Sequence, residues 1–271
     1  MSTPLARRTS SPVSLTQELP EKAHRIASHV RVRAVSFAPL GGSDLCAIIS
    51  PVDRGVVVLD LDDTLTDWWT AIGRAAEGVA DDEVAEALRD VVRREAWIRR
   101  NDGAVHRDHW RLRVEPLTFW RSVFPDSESR ASEMAAQFAE ALRVQLYEDV
   151  SPALRVLPSD TRLGLLSNSP YAEEELAALG IASHFSTVIS VTDPIRKPHP
   201  EAFRRVLVAM EADPGDVLYV GDSPINDIEP ARDQGMRSVW LDRFHDDWLP
   251  PSDVQRLQTL EELPGLLHKV W

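Results

Sequence analysis

Cysteine is nearly absent from this sequence: Cys46 is the single one in 271 residues. One thiol cannot close an intrachain disulfide and leaves no CxxC pattern for a structural metal, which points to a reducing compartment. Long apolar runs are missing too. The strongest, in VVVLDLDDTL, meets Asp60 after four residues, far short of the about 20 apolar residues that a membrane-spanning helix needs. Behind Arg7 and Arg8 there is no apolar stretch of the kind that makes a secretory or twin-arginine signal. Excess positive charge is also lacking. The 30 Lys and Arg against 43 Asp and Glu give a formal net charge of −13, which would repel a nucleic-acid backbone. The expectation is a cytoplasmic protein with neither a membrane nor a nucleic acid as partner.

What is present is a globular composition, 43% hydrophobic, in a chain long enough for about two domains of ~150 residues. Residues 1–50 carry six Lys and Arg against three acids, mix Ser, Thr, Pro and Arg, and sustain no period. They are expected to be a flexible N-terminal extension. From Gly55 the pattern sharpens. Val56–Leu59 is a short continuous apolar run of the type found in parallel strands buried on both faces. Similar runs recur at Leu163–Leu166, Thr187–Ser190, Val217–Val220 and Ser238–Leu241. Helical patterns lie between the later ones: Ala172–Leu179, ended by Gly180, and Pro200–Ala212, with proline in the favoured first turn. Alternating strands and helices imply right-handed βαβ units and an α/β, doubly wound parallel sheet.

Between Thr66 and Tyr147 no such strand occurs. Apolar residues there are spaced by three and four, at Val84, Leu88 and Val91 and again at Met134, Phe138 and Leu142. This reads as a helical insert leaving from and returning to the carboxyl edge of the sheet, where doubly wound folds bind ligands.

The first strand runs into Asp60, Leu61, Asp62, Asp63, Thr64 and Leu65. Three carboxylates in four residues at the end of a buried strand repel one another and cost desolvation energy unless a cation or phosphate-binding role offsets it. Further along, LGLLSN ends a strand in Ser167 and Asn168, RKPHPEAF places Lys197 before a helix opening at Pro200, and VLYVGDSPINDIEPA supplies Gly221, Asp222 and Asp227. In this order the four segments resemble the motifs of the haloacid dehalogenase superfamily, beginning with DxDxT and ending with GDxxxxD. One departure is Pro194, where relatives often carry a glycine three residues before the motif lysine.

The resemblance implies a Rossmann-like core over residues 51–66 and 148–271, with residues 67–147 as an α-helical cap. It implies a phosphatase in which Asp60 is the nucleophile, Asp62 the general acid and base, and Lys197 the cation that neutralises nucleophile and phosphoryl oxygens. Ser167, Asn168 and Lys197 would hold the phosphate. Mg²⁺ would be the cofactor, with Asp60, Asp62 through its carbonyl, Asp222 and Asp227 as ligands or close neighbours, while Asp63 would be structural. Hard oxygen-only donors suit Mg²⁺, and an aspartyl phosphate splits one difficult displacement into two easier ones. The expected partner is a small phosphorylated metabolite. A dehalogenase would need neither Asp62 nor the metal. A catalytically idle phospho-ligand or partner-binding protein and a phosphomutase remain as alternatives on the same fold.

Residues 93–121 hold eight arginines, Arg93, Arg94, Arg99, Arg100, Arg107, Arg111, Arg113 and Arg121, against four acids, together with Trp97, Trp110 and Trp120. Such a basic, aromatic island could select the leaving group by stacking and anion pairing, or could be helix core and solvated surface. His106 and His109 have no assignable partner in the sequence.

Overall fold

The computed structural model describes residues 55–101, 112 and 114–270. The expected extension, residues 1–50, lies outside the described residues. So do the side chains of Trp97, Arg99 and Arg100, and the whole of His106, Arg107, His109, Trp110, Arg111 and Arg113.

Six strands form one parallel sheet: β1 (Val56–Leu59), β2 (Arg162–Ser167), β3 (Thr187–Ser190), β4 (Val217–Gly221), β5 (Arg237–Leu241) and β6 (Gln255–Leu257). Their order is β3-β2-β1-β4-β5-β6, so the chain winds outward from β1 to one side and then from β4 to the other. The reversal falls between β1 and β4, and the crevice beyond their carboxyl ends is the expected ligand position in such a sheet. Val57 and Leu59 enter one apolar cluster with Leu163, Leu165 and Val220, while Val56 and Val58 enter another with Phe203, Val206 and Tyr219. Helices cover both faces, which is why β1 reads as an unbroken apolar run rather than an alternation. Five strands match the expected positions. The sixth, β6, is a three-residue edge strand whose first two residues are exposed, so it carries no apolar pattern to read.

Between β1 and β2 the described chain forms α1 (Trp68–Glu77), α2 (Asp82–Asn101), α3 (Pro116–Val123) and α4 (Glu128–Ala141). Asp67 caps α1, its Oδ1 accepting from the Thr70 N–H at 2.9 Å, and Asp81 does the same for α2 by accepting from Glu83 and Val84. These helices enclose their own apolar cluster. Val84, Leu88, Val91 and Phe138 are buried in it as their spacing predicts, with Met134 and Leu142 packed at its margin. Thr66 bridges Leu146 in antiparallel fashion, the Asp67 N–H donates to the Gln145 carbonyl, and the Tyr147 N–H donates to the Leu65 carbonyl. The insert thus departs and returns along paired, antiparallel segments of chain.

After the insert come α5 (Val150–Arg155), α6 (Ala172–Ala178), α7 (Pro200–Met210), α8 (Glu229–Asp233) and α9 (Leu263–Val270). Gly180, at φ +73°, takes the left-handed position that terminates α6.

Part of the basic, aromatic island resolves into ordinary structure. Trp120 is wholly buried among Phe119, Phe124 and Phe138, with ring centroids 5.0 to 6.0 Å away, so it packs the helical insert instead of facing a ligand. Arg93 pairs with Glu86 and Asp90, Arg94 with Asp90, and Arg121 with Glu128, all on exposed surface. Exposed pairs of this kind contribute little to stability. Replacement of Trp120 by alanine removes the largest side chain of the insert's core and is expected to cost ~3–5 kcal/mol in urea denaturation. A loss below ~1 kcal/mol would mean that the insert lacks a cooperative core around this residue.

Candidate active site

Asp60 follows β1 directly, and its N–H extends the ladder by donating to the Val220 carbonyl at 3.0 Å. Asp222 follows β4, so the first and fourth motifs are held side by side at the point where the sheet reverses. Asp227 reaches the same place by a different route. Beyond β4 the chain makes a turn of π-helix, Pro224–Ile228, in which the Ser223 hydroxyl accepts from the Asn226 N–H and the Ser223 N–H donates to Asp227 Oδ2 at 3.1 Å. This folds the Asp227 side chain back over the strand end. A Cβ on Gly221 would lie 2.6 Å from both Cβ and Cγ of Asp227, so only glycine leaves room. Asp60, Asp222 and Asp227 each bring one carboxylate oxygen within 4.8 Å of the others.

Lys197 closes the cluster. Its Nζ donates to Asp60 Oδ1 at 2.5 Å, to Asp227 Oδ1 at 2.6 Å and to the Tyr219 hydroxyl at 3.1 Å, using all three donors. Tyr219 in turn donates to Asp227 Oδ1 at 2.9 Å. Asn168 fixes the backbone beneath this lysine: its Oδ1 accepts from the Lys197 N–H at 2.7 Å and its Nδ2 donates to the Lys197 carbonyl at 3.2 Å. The Asn168 side chain, expected on phosphate, is therefore turned to the lysine loop. The loop that carries Pro194 turns through hydrogen bonds from the Ile195 N–H to the Thr192 carbonyl and from the His199 N–H to the Arg196 carbonyl before Pro200 opens α7. Ser167 is wholly buried at the end of β2, its Oγ accepting from the Ser169 N–H at 3.0 Å.

Asp62 stands apart from the cluster. Its carboxylate is partly exposed and accepts from the indole N–H of Trp68, the first residue of α1, at 2.7 Å. Asp63, buried and at φ +61°, turns the chain between Asp62 and Thr64, and its N–H donates to the Thr66 carbonyl. Aspartate tolerates that left-handed geometry, which agrees with a structural role. The Thr64 hydroxyl lies 3.4 Å from Asp60 Oδ2 and 3.5 Å from Asp222 Oδ1, between the two motif carboxylates.

The electrostatics of the cluster are those of charged groups taken out of water. Burial pushes the Asp60 carboxyl well above the usual carboxylate range; the Lys197 ammonium opposes this, and the Asp227, Asp222 and Asp62 carboxylates reinforce it. Burial raises Asp227 in the same way, again against Lys197 and with Asp222 adding to the rise. For Lys197 burial alone would favour the neutral amine, yet Asp227 and Asp60 outweigh it and hold the ammonium above its ordinary range. Three buried carboxyl groups face one ammonium, and their oxygen-only donor set is of the kind suited to Mg²⁺.

Sequence reasoning did not single out Tyr219, Trp68 or Arg243. Tyr219 had a legible sign, a phenol in a strand buried on both faces, because a buried hydroxyl needs a partner. Trp68 lies six residues from its partner Asp62 with no periodic pattern to mark the bond, and Arg243 depends on approaches across the fold.

A family model of haloacid dehalogenase-like hydrolases matches residues 55–235. The phosphoserine phosphatase of Thermus thermophilus is 40% identical over 147 residues, which cover 48% of this chain and 59% of that protein. This chain spans 35% of a glyceraldehyde 3-phosphate phosphatase of Pyrococcus abyssi and 32% of a phosphoglycolate phosphatase of Escherichia coli, to which it is also similar. Among solved structures, a HAD phosphatase from Thermococcus onnurineus is 25% identical with a TM-score of 0.52, over 79% of this chain and 97% of that one. A 2-haloacid dehalogenase from Pseudomonas syringae pv. Tomato DC3000, 24% identical, superposes with a TM-score of 0.55 over 80% of this chain and 99% of that one, a likeness of fold alone.

Substitution of Gly221 by alanine should force Asp227 away from Lys197 and Tyr219 and destabilise the protein by ~1–3 kcal/mol, as overpacking does. Unchanged stability in chemical denaturation would show that Asp227 does not need the space above Gly221.

Proposed function

The chain belongs to the haloacid dehalogenase-like hydrolase family, and on that premise we propose that it is a Mg²⁺-dependent phosphatase of small phosphomonoesters. The observation that carries this reading is the Asp60 carboxylate, buried at the switch point of the sheet and 2.5 Å from Lys197 Nζ. A phosphatase name on the 40%-identical relative supports the reaction class, while the part of that relative this chain leaves unmatched keeps the substrate open.

In this reading Asp60 attacks phosphorus as a carboxylate, and the bond from phosphorus to the leaving oxygen breaks as the aspartyl phosphate forms. Asp62, the partly exposed acid, gives its proton to the leaving oxygen. It then takes a proton from water as that water attacks phosphorus, releasing phosphate and restoring Asp60. Lys197 lowers the repulsion between Asp60 and the incoming anion, and the Ser167 hydroxyl and the Asn168 backbone N–H hold phosphoryl oxygens. Asp60, Asp222 and the Asp62 carbonyl, with Asp227 beside them, would hold Mg²⁺, which supplies charge neutralisation between the nucleophile and the phosphoryl group. Asp227 already accepts from Lys197, Tyr219 and Ser223, which suits it to orienting this set as much as to direct ligation.

Residues 67–147 act as the helical cap on a core of residues 51–66 and 148–271. A cap that leaves and returns at the carboxyl edge excludes macromolecules and favours small phosphorylated metabolites. No helix among the described residues is long and apolar enough to cross a membrane.

The test is hydrolysis of a panel of phosphomonoesters. Asp60→Asn should abolish turnover with the fold intact, and Asp62→Asn should slow it by ~10² to 10⁴. Chelation should remove activity and Mg²⁺ restore it. Asp60→Asn retaining a tenth of the wild-type kcat would rule out nucleophilic catalysis by this residue.

A further inference from the structure

Arg243, just beyond β5, makes contacts that the catalytic reading leaves unexplained. Its Nε and Nη2 donate to the Thr64 carbonyl at 3.1 and 2.8 Å, and its Nη1 donates to Asp149 Oδ2 at 2.8 Å. The guanidinium carbon lies 4.1 Å from the centre of the Tyr147 ring, and only 8% of the side chain is exposed. Asp149 Oδ2 also accepts from the Leu260 N–H at 2.7 Å. One side chain thus connects the loop after β1, the loop after β5, the returning segment of the helical insert and the chain beyond β6.

The contact with Thr64 reaches the site. Thr64 is wholly buried, and its hydroxyl stands between Asp60 Oδ2 and Asp222 Oδ1. A hydroxyl has one proton and can donate to only one of these carboxylates at a time, so its placement decides how two mutually repelling groups share it. That placement follows from the backbone. The Asp63 N–H is bonded to the Thr66 carbonyl, and the Leu65 and Thr66 N–H groups are bonded to the Leu61 carbonyl. The Thr64 carbonyl, by contrast, faces outward to the Arg243 fork. Two donors in one plane on a single carbonyl, with a third on Asp149, is a geometry that guanidinium offers and ammonium does not.

We propose that Arg243 is a positioning residue for the cation site: by gripping the Thr64 carbonyl it holds the Thr64 hydroxyl between Asp60 and Asp222, and through Asp149 and Tyr147 it ties that arrangement to the segment on which the cap returns. This inference rests on the reading of Asp60 and Asp222 as ligands of a divalent cation. Its effect should appear in cation affinity itself, whether or not a substrate is present.

The experiment is calorimetric titration of Mg²⁺ into the full chain without substrate, at a temperature where circular dichroism shows every variant folded. Arg243→Met, which keeps the apolar stem, should weaken the dissociation constant at least tenfold. Arg243→Lys should recover part of the loss, because one donor can still reach Thr64, and Asp149→Asn should produce a smaller loss of at least threefold by removing the charge from the acceptor of one arm of the fork. If Arg243→Met does not fold, the lysine and asparagine variants decide. Dissociation constants within twofold of wild type in the folded variants would overturn the proposal and leave Arg243 as packing. A wild-type chain that takes up no Mg²⁺ would instead overturn the metal reading, and this inference with it, before any variant is compared.

Discussion

Everything in this site follows from burying three carboxylates and one ammonium together at the carboxyl end of the sheet. Asp60, Asp222 and Asp227 are at most 5% exposed and Lys197 is 2% exposed, so each charge depends on the others and on the Tyr219, Ser223 and Thr64 donors around them. The sheet imposes the juxtaposition. Parallel neighbours β1 and β4 end side by side, and each delivers an aspartate in the next position. Once those two are fixed, Asn168 sets the backbone of the lysine loop and the π-turn sets Asp227. The polar network is connected throughout, as a buried network must be to avoid unpaired groups.

The same constraint separates the surroundings of neighbouring acids. Asp60 and Asp62 are two residues apart, yet one is enclosed by Lys197 and the metal-type carboxylates while the other lies at the edge of the insert, held by the Trp68 indole. A nucleophile needs a fixed, charged environment, whereas a proton carrier needs access to the leaving group and to water. Asp63, at φ +61°, is the hinge that permits this division.

Much of this was legible in the sequence, for physical reasons that can be named. Strands β1, β2 and β4 are buried on both faces, and full burial writes an apolar run that can be read without a structure. The helical insert showed itself through Val84, Leu88 and Val91, all of which enter its core. Motif spacing placed Asp60, Lys197, Asp222 and Asp227 at one sheet edge. Strand β6 stayed hidden because a short exposed edge strand has no face to bury. Trp120 was ambiguous because stacking on a ligand and filling a core demand the same side chain, and only packing separates them. Tyr219 and Arg243 act through bonds to residues far along the chain, so their partners became visible only when the fold brought them together.

The central claim is covalent: Asp60 carries the phosphoryl group during turnover. The most direct measurement is rapid acid quenching of the protein during turnover of an aryl phosphate, followed by borohydride reduction and peptide mapping by mass spectrometry. Borohydride converts an aspartyl phosphate to homoserine, so the account predicts that change at Asp60, dependent on substrate and absent from Asp62, Asp222 and Asp227. Turnover that continues with Asp60 never modified, or with the modification at another residue, would contradict it.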